Sequence, residues 1–178
     1  VMGHSSDRLA MRFGVSRADQ DEFALMSHRN ASKAHQEGFY EEEIVPFQGS
    51  IEENGIKGDS TMEKLSSLKP AFIKPHGTHT AGNSSFLTDG ATSGLIMSEE
   101  YAKANGFTPK ARFVDYDFVG VDPFEELLLG PAYGIAKLLK RNNLTLNDIG
   151  VFEIHEAFAG QVLANLAALN SATFCEEK

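Results

Sequence analysis

The sequence has a single cysteine, no tryptophan and few basic residues. One cysteine cannot form a disulfide within the chain, which excludes the small disulfide-rich scaffolds and is consistent with a reducing compartment. Only 16 lysines and arginines stand against 25 acidic residues, for a formal net charge of −9. Binding of nucleic-acid phosphates needs a basic surplus on at least one face, so this balance argues against a nucleic-acid partner.

Long apolar runs and targeting signals are also missing. No run approaches the roughly 20 apolar residues of a membrane-spanning helix, and residues 1–4 fit neither a secretory signal nor a transit peptide. Hydrophobic residues make up 42% of the chain and charged residues 23%, as in ordinary soluble globular proteins. With 178 residues, we expect one domain core or parts of two smaller ones.

The pattern along the chain predicts mixed α and β structure. Ser16, with Asp19 three residues later, is typical of a helix N-terminus, and Gly38 of its end. A proline in 44–47 favours a short edge strand there, and 48–69 reads as a long surface loop. Further helices are predicted at 91–105, 130–141 and 157–169, and strands at 111–119 and 151–154. The strand–helix–strand–helix order from 111 onward indicates parallel strands and an α/β fold.

His155 is the leading functional candidate, because it stands where a predicted strand passes into a helix. In open α/β sheets ligands bind at this edge, where the free N–H groups of the next helix create a positive field. A neutral imidazole there can donate a hydrogen bond to a polarised oxygen. The alternative is a structural histidine with no chemical role. Cys175 is a poor nucleophile candidate because two glutamates follow it near the chain end.

The segment 77–85 is small and rich in hydroxyl groups, so it can approach a ligand closely or simply form a turn. It does not match the phosphate loop GxxxxGK[ST]. His76, His79 and His155 could together suggest a metal hydrolase, and His28 and His35 lie seven residues apart on one helix. No acid or thiol with suitable spacing supports a metal site at either place.

Several motifs together resemble the thiolase family. They are Val-Met-Gly at 1–3, Ser-Arg-Ala-Asp-Gln-Asp at 16–21, Lys-Pro-Ala-Phe at 69–72 leading into 77–89, Leu-Leu-Leu-Gly-Pro at 127–131 and His-Glu-Ala-Phe-Ala at 155–159. The resemblance extends over essentially the whole chain and is strongest to the β-subunit type of the trifunctional fatty-acid oxidation complex. It implies a partial thiolase-like α/β fold: a loop (lid) domain at 1–76, the end of the N-terminal domain at 77–109 and the first half of the C-terminal domain at 110–178.

The resemblance implies thiolytic acyl transfer from 3-ketoacyl-CoA to coenzyme A in fatty-acid β-oxidation. In the family a cysteine thiolate, activated by the histidine of a Gly-His-Pro motif, takes the acyl group, and a second cysteine moves protons. None of these three motifs occurs in these residues. The bare chain is therefore expected to be inactive, and a non-catalytic module that binds coenzyme A or a partner is the alternative.

The remaining site residues follow from the same resemblance. His155 occupies the position where many thiolases have an asparagine that holds a water in the oxyanion hole, and either side chain can donate a hydrogen bond. Lys57 stands where an arginine commonly faces the nucleotide phosphates, as a point charge without the arginine fork. The other expected coenzyme A contacts are Phe72, Ala81, Ser85, Ala157 and Phe158.

The resemblance also implies partners and a location. Coenzyme A is expected as a substrate, with no permanently bound cofactor and no metal. A thiolase homodimer, a hydratase/dehydrogenase α-subunit and peripheral association with a membrane are the expected partners. The expected compartment is the mitochondrion, with the bacterial cytoplasm as the alternative.

Overall fold

The computed structural model of this chain describes residues 2–50 and 55–177. These residues are mainly helical. In chain order the helices are α1 (Met2–Arg12), α2 (Arg17–Gln36), α3 (Met62–Ser66), α4 (Glu99–Ala104), α5 (Gly130–Arg141), a 3₁₀ turn (Leu146–Asp148), α6 (Ala159–Leu169) and α7 (Ala172–Glu177). In this part of the chain no helix is long and apolar enough to cross a membrane.

Local signals place the ends of the two longest helices. The Ser16 hydroxyl accepts a hydrogen bond from the Asp19 amide at 3.1 Å, and the Asp19 carboxylate accepts one from the Ser16 amide at 2.9 Å. This capping box begins α2, and Gly38 follows its end with a φ of +74°. Helix α5 begins at Gly130 with a proline in its first turn and ends at Arg141. Both helices confirm the predictions from the sequence.

Helix α6 forms the centre of the fold and packs against α1, α2, α5 and α7. Alanine and glycine make up five of its eleven residues, and their small size lets neighbouring helices approach closely. The fully buried apolar residues of the central cluster are Leu9, Leu129, Ala132, Ala164 and Ala168. The partly buried residues packed against this cluster are Phe13, Val15, Leu128, Tyr133, Leu169 and Phe174.

A buried amide joins α6 to the start of α5. The Asn165 side chain accepts a hydrogen bond from the Ala132 amide at 3.0 Å. It also donates to the carbonyls of Leu128 and Gln161 at 2.9 and 2.8 Å. Since Asn165 is fully buried, these three bonds satisfy polar groups that have no access to water.

The predicted strands do not form ladders among the described residues. The β contacts there are two isolated bridges, Phe47 with Ser50 and Ser84 with Phe158. Residues 44–46, 111–121 and 151–154 have no regular structure, and Tyr116 and Phe118 are 71% and 87% exposed. Their alternating pattern suits a strand, but a strand is stable only beside a second one.

Two helices begin later than predicted, and a third helix lies where a loop was predicted. Helix α4 begins at Glu99, not at residue 91, because Ser98 caps it through the Tyr101 amide at 3.1 Å. Helix α6 begins at Ala159, not at 157, because Phe158 is extended and forms its bridge to Ser84. Helix α3 lies inside the predicted loop at 48–69, where Thr61 caps it.

Candidate functional site

A two-part cleft lies between α2 and the segments 55–68 and 81–86. It consists of two adjoining cavities of about 240 and 270 Å³. Five residues line both cavities and join them into one cleft: His28, Gly55, Gly82, Ser84 and Phe86.

The first half of the cleft is mainly apolar. Its apolar lining includes Phe23, Ala24, Ala31, Ile56 and Ala159. A polar pair lies among them, in which the Ser27 hydroxyl donates to the Glu156 carboxylate at 2.5 Å. The second half is just as apolar, so this half differs from it mainly by having no lysine, which suits an uncharged part of a ligand.

The second half carries the positive charge of the cleft. Lys57 and Lys64 line it together with Ser60 and His28. The backbone N–H of Lys57 donates to the His28 ring at 3.3 Å, which joins this segment to α2. Lys64 also pairs with Asp59 at 3.3 Å, and that hydrogen bond holds the pKa of Asp59 below its usual value. Two lysines beside hydroxyl groups favour an anionic part of a ligand.

A buried triad of polar side chains lies behind the cleft. The His79 ring is fully buried, with Nε2 2.6 Å from the Ser6 hydroxyl and Nδ1 2.8 Å from the Asp7 carboxylate. The backbone amides of Thr78 and His79 donate to the same Asp7 oxygen at 2.7 and 3.1 Å. We call Ser6, Asp7 and His79 the buried triad.

Burial and hydrogen bonding set the charge states within the buried triad. Burial lowers the pKa of His79, and this outweighs the opposing effect of Asp7. Burial alone would raise the pKa of Asp7, but hydrogen bonds from Thr78 and His79 bring it below the ordinary value. At neutral pH the ring is therefore neutral and the carboxylate ionised. The Nδ1–H donates to Asp7, and Nε2 accepts from the Ser6 hydroxyl.

A second series of polar contacts joins α2 and the α3 region to Asn83 in the segment 77–85. The Arg17 side chain donates to Asp21 at 2.8 Å and to the carbonyls of Leu65 and Leu68 at the end of α3. The carboxylate of Asp21, which is fully buried, accepts a hydrogen bond from the side-chain amide of Asn83 at 2.9 Å. Because Asn83 lines the cleft, this chain of contacts fixes one cleft wall relative to two helices.

Two backbone hydrogen bonds bring the hydroxyl-rich segment to the start of α6. The Ser85 amide donates to the Ala157 carbonyl at 2.9 Å, and the Ala159 amide donates to the Asn83 carbonyl at 3.0 Å. These bonds flank the bridge of Ser84 with Phe158. The segments 77–85 and 155–159, far apart in sequence, therefore share one edge of the cleft.

The predicted ligand contacts fall into two groups. Lys57, Ala81 and Ser85 line the cleft. Ala157 reaches it through its hydrogen bond to Ser85. The remaining pair packs behind the wall, where the rings of Phe72 and Phe158 meet edge to face with centroids 5.7 Å apart.

His155 is exposed and does not itself line either cavity. Its neighbour in the chain, Glu156, lines the first half. The expected role of His155 is to donate a hydrogen bond to a substrate oxygen or a water. That role stays a prediction, as do the coenzyme A contacts.

Neither the single thiol nor a histidine cluster supplies other chemistry here. Cys175 is exposed on α7, and its thiol points toward the carbonyls of Ala168 and Leu169 at 3.8 Å. Both ring nitrogens of His79 are used by the buried triad, which leaves none to bind a metal. The described residues contain no group of three potential metal ligands.

The polar residues behind the cleft are only partly visible in the sequence. The pattern marks the segment 77–85, which contains His79 and Asn83, as a ligand-binding segment or a turn, and it gives no role to Ser6. A usable signal was present in α2, where Gln20 and Asp21 are followed four residues later by Ala24 and Leu25. Polar residues on the buried face of a helix usually hydrogen-bond to another element.

Solved structures resemble this chain over nearly its whole length. The dimeric peroxisomal thiolase of Saccharomyces cerevisiae superposes with a TM-score of 0.84 at 39% identity, covering 95% of this chain and 44% of that protein. Human mitochondrial 3-ketoacyl-CoA thiolase gives a TM-score of 0.84 at 33% identity, covering 97% and 45%. The described fold is thus part of a thiolase fold, which confirms the predicted fold class.

Sequence comparison gives the same family. Residues 1–100 match the N-terminal thiolase domain and residues 107–176 match the C-terminal one. A probable 3-ketoacyl-CoA thiolase of Caenorhabditis elegans is 58% identical over all of this chain and 41% of its own length. The mitochondrial trifunctional enzyme subunit beta of Bos taurus is 53% identical over 99% and 38%. The chain belongs to the thiolase family and spans about two-fifths of the length of these relatives.

Proposed function

We propose that this chain is the central portion of a 3-ketoacyl-CoA thiolase and supplies the coenzyme A cleft for thiolytic acyl transfer in fatty-acid β-oxidation. The observation that carries the proposal is a division of charge within a largely apolar cleft, because Lys57 and Lys64 line only one of its two halves. Coenzyme A has the same division, with a phosphorylated nucleotide at one end and a long neutral arm ending in a thiol. The names of the C. elegans and bovine relatives support this assignment.

Lys57 and Lys64 would face the nucleotide phosphates. A lysine ammonium acts as a point charge on a flexible stem, so it attracts a phosphate without fixing its orientation. The neutral arm of coenzyme A would then follow the wall formed by Ala81 and Ser85 toward Glu156. This direction leads the reactive end of the ligand toward His155.

His155 would act on the oxygen of the reacting thioester. Attack on a thioester carbonyl puts negative charge on its oxygen, and a donor placed there stabilises the transition state. The exposed imidazole of His155 can donate a hydrogen bond directly or through a water. The nucleophile is not among these residues, since Cys175 lies on α7 away from the cleft lining. The bare chain should therefore bind coenzyme A without turning over thioesters.

The partners and compartment form the finer part of the proposal. We infer a homodimer, because the yeast relative of known structure is described as dimeric. The bovine relative is named as the mitochondrial beta subunit of a trifunctional enzyme, which supports a mitochondrial location and assembly with another subunit. We infer from the family resemblance that this other subunit is a hydratase/dehydrogenase α-subunit and that the assembly associates peripherally with a membrane. The bacterial cytoplasm stays the alternative location, because a thiolase of Yersinia enterocolitica is also 42% identical.

A non-catalytic module that binds coenzyme A is the second candidate. It is favoured by one observation, that the described residues contain the cleft but place their only thiol elsewhere. Both candidates predict binding of coenzyme A, and only the first predicts acyl transfer by the full-length protein.

Calorimetric titration of the chain with coenzyme A tests the shared part of both. Lys57→Ala should weaken binding about 3- to 10-fold, the size of effect expected for a single exposed charge contact. Lys137→Ala, which removes an exposed lysine from α5, is the matched control and should bind like the unsubstituted chain. No measurable binding by either the chain or the full-length gene product would rule out both candidates.

Activity separates the two candidates. In the full-length gene product we expect cleavage of a 3-ketoacyl-CoA that depends on added coenzyme A. His155→Ala should lower kcat by about 10²-fold with a smaller change in KM, as for loss of one oxyanion donor. Binding without any thiolysis would instead favour the non-catalytic module.

A further inference from the structure

We propose that His79 is a positioning residue that sets the shape of the cleft wall from inside the protein, and through it the affinity of the cleft for its ligand. The second part of this inference rests on the proposed function, whereas the first part concerns the fold alone.

His79 lies between two helices and contacts both. Its ring nitrogens bond Ser6 and Asp7 of α1, at 2.6 and 2.8 Å. The ring meets that of Phe158, the N-cap residue of α6, edge to face with centroids 5.4 Å apart. A Cβ added to Gly160 of α6 would lie only 2.7 Å from ring atoms of His79. The imidazole therefore packs closely between α1 and the beginning of α6.

The cleft wall begins directly after this anchored residue. The His79 amide donates to Asp7, and its carbonyl accepts from the Ala71 amide at 2.8 Å, so the backbone is held on both sides. A tight turn follows, in which the Thr80 amide donates to the Asn83 side chain at 2.7 Å. Residues 81–86 of the cleft lining continue from this turn. A shift of His79 would thus move the wall as a unit.

The hydrogen-bonding pattern makes demands that few side chains can meet. The group at position 79 must donate to a carboxylate and accept from a hydroxyl, and both of those partners are buried. A neutral imidazole with its proton on Nδ1 does both. An asparagine amide can reach Asp7 from about the position of Nδ1 but does not extend to Ser6. A leucine keeps much of the volume and makes neither bond.

Hydrogen exchange in the full-length gene product tests the positioning directly. The amides of Ser85 and Ala159 report on the wall because they donate to Ala157 and Asn83. We expect His79→Leu to increase exchange at both amides by about 10-fold or more, the equivalent of one lost hydrogen bond to a charged group. His79→Asn should restore part of the protection, and Ser6→Ala should fall between it and the unsubstituted protein.

Leu129→Ala is the control, because it weakens the core at a fully buried residue that lies outside the cleft lining. It should lower Tm while leaving Ser85 and Ala159 protected relative to other amides. If His79→Leu lowers Tm but changes these two amides no more than Leu129→Ala does, His79 only fills space and the inference is wrong. His79→Asn and Ser6→Ala keep the comparison possible if the leucine variant does not fold.

The effect on ligand affinity is measured separately. In the same variants we expect the KM for coenzyme A to rise in the order of lost protection, by up to about 10-fold, with a smaller change in kcat. Faster exchange at the Ser85 and Ala159 amides with an unchanged KM would contradict the proposed effect of the cleft wall on ligand affinity. If the unsubstituted protein neither binds nor uses coenzyme A, the proposed function fails, and the exchange measurement still decides the positioning role.

Discussion

The ring of Phe158 meets the ring of His79 at an interplanar angle of 72°, with centroids 5.4 Å apart. Phe158 is 8% exposed and His79 fully buried, so the contact lies inside the protein. Phe158 precedes α6, and His79 precedes the turn that forms the cleft wall. This one aromatic contact therefore joins the two segments that the resemblance to thiolases assigns to ligand binding.

Gly160→Ala should destabilise the protein even though alanine is the better helix former. The new methyl group would lie 2.7 Å from His79 ring atoms and 2.9 Å from the Gln20 side chain. Overpacking of this kind costs about 1–3 kcal/mol, and the gain in helix propensity offsets up to about 1 kcal/mol of it. Urea unfolding gives the difference directly.

Gly90→Ala is the matched control for that experiment, because a Cβ there has nothing within 4 Å. It should change the free energy of unfolding by less than about 0.5 kcal/mol. Equal stability of the Gly160 and Gly90 variants would show that the ring of His79 can move aside.

Leu129→Ala should cost about 2–5 kcal/mol of unfolding free energy. Leu129 is fully buried in the central cluster, and removal of its side chain leaves a cavity next to Ala132 and Ala164. Leu87→Ala is the control, because this leucine is fully exposed and should contribute under about 0.5 kcal/mol. A small effect at both positions would mean that the cluster around α6 is not the core.

Ser16→Ala should weaken the start of α2 by about 1 kcal/mol, the usual cost of a lost N-cap. The serine hydroxyl accepts from the Asp19 amide and donates to the Asp19 carboxylate at 2.6 Å. Chemical denaturation monitored by circular dichroism measures this loss. Ser93→Ala, in an exposed irregular segment, should leave the unfolding midpoint unchanged.

Stability should fall on acidification in two steps that involve the buried triad. The pKa of His79 is lower in the folded protein than its ordinary value of 6.5, so the unfolded chain binds the proton more readily. The contribution of neutral His79 to the free energy of unfolding is complete above about pH 6.5 and is lost as the pH falls toward the pKa of His79 in the folded protein. The pKa of Asp7 is likewise depressed from 3.8, so its contribution is lost at lower pH still.

The two steps can be assigned by substitution. His79→Asn should remove the step that begins near pH 6.5, and Asp7→Asn should remove the one below pH 3.8. The free energy of unfolding measured across pH 3–7 shows the steps. A pH profile that neither substitution alters would contradict the charge states deduced for the triad.

Local chemistry allowed four of the described helices, α2, α4, α5 and α6, to be predicted, whereas α1, α3 and α7 were not. Long-range contacts limited the prediction of the rest. Ser16 and Asp19 lie three residues apart, so the start of α2 is visible in the sequence. The segment with Tyr116 and Phe118 has the right alternation for a strand, but pairing depends on a neighbour that the pattern does not specify. The same limit applies to Ser6 and His79, which are 73 positions apart and meet only in the folded chain.

The sequence pattern marks a region for the site, and the family resemblance supplies most of the individual residues, whose contact with a ligand stays a prediction. Composition selects the segment 77–85, which contains Ala81 and Ser85, but only the resemblance selects Lys57, and all three line the cleft. Phe158 is apolar and aromatic, and the structure places it in the interior against Phe72. Residues that hold a wall from behind are polar and buried, and a single sequence gives no direct measure of burial.

The three hydrogen bonds of Asn165 restrict how this protein can change over evolutionary time. A leucine of similar volume would make none of these three bonds, so the Leu128 carbonyl would lose its side-chain donor, whereas the Ala132 amide would keep its bond to the Leu129 carbonyl at 3.1 Å. A lost hydrogen bond of this kind costs about 0.5–1.5 kcal/mol, which is a noticeable share of the stability of a domain. We therefore expect the apolar contacts between α5 and α6 to accept many substitutions during evolution. Position 165 should keep an amide side chain, because that group both donates and accepts.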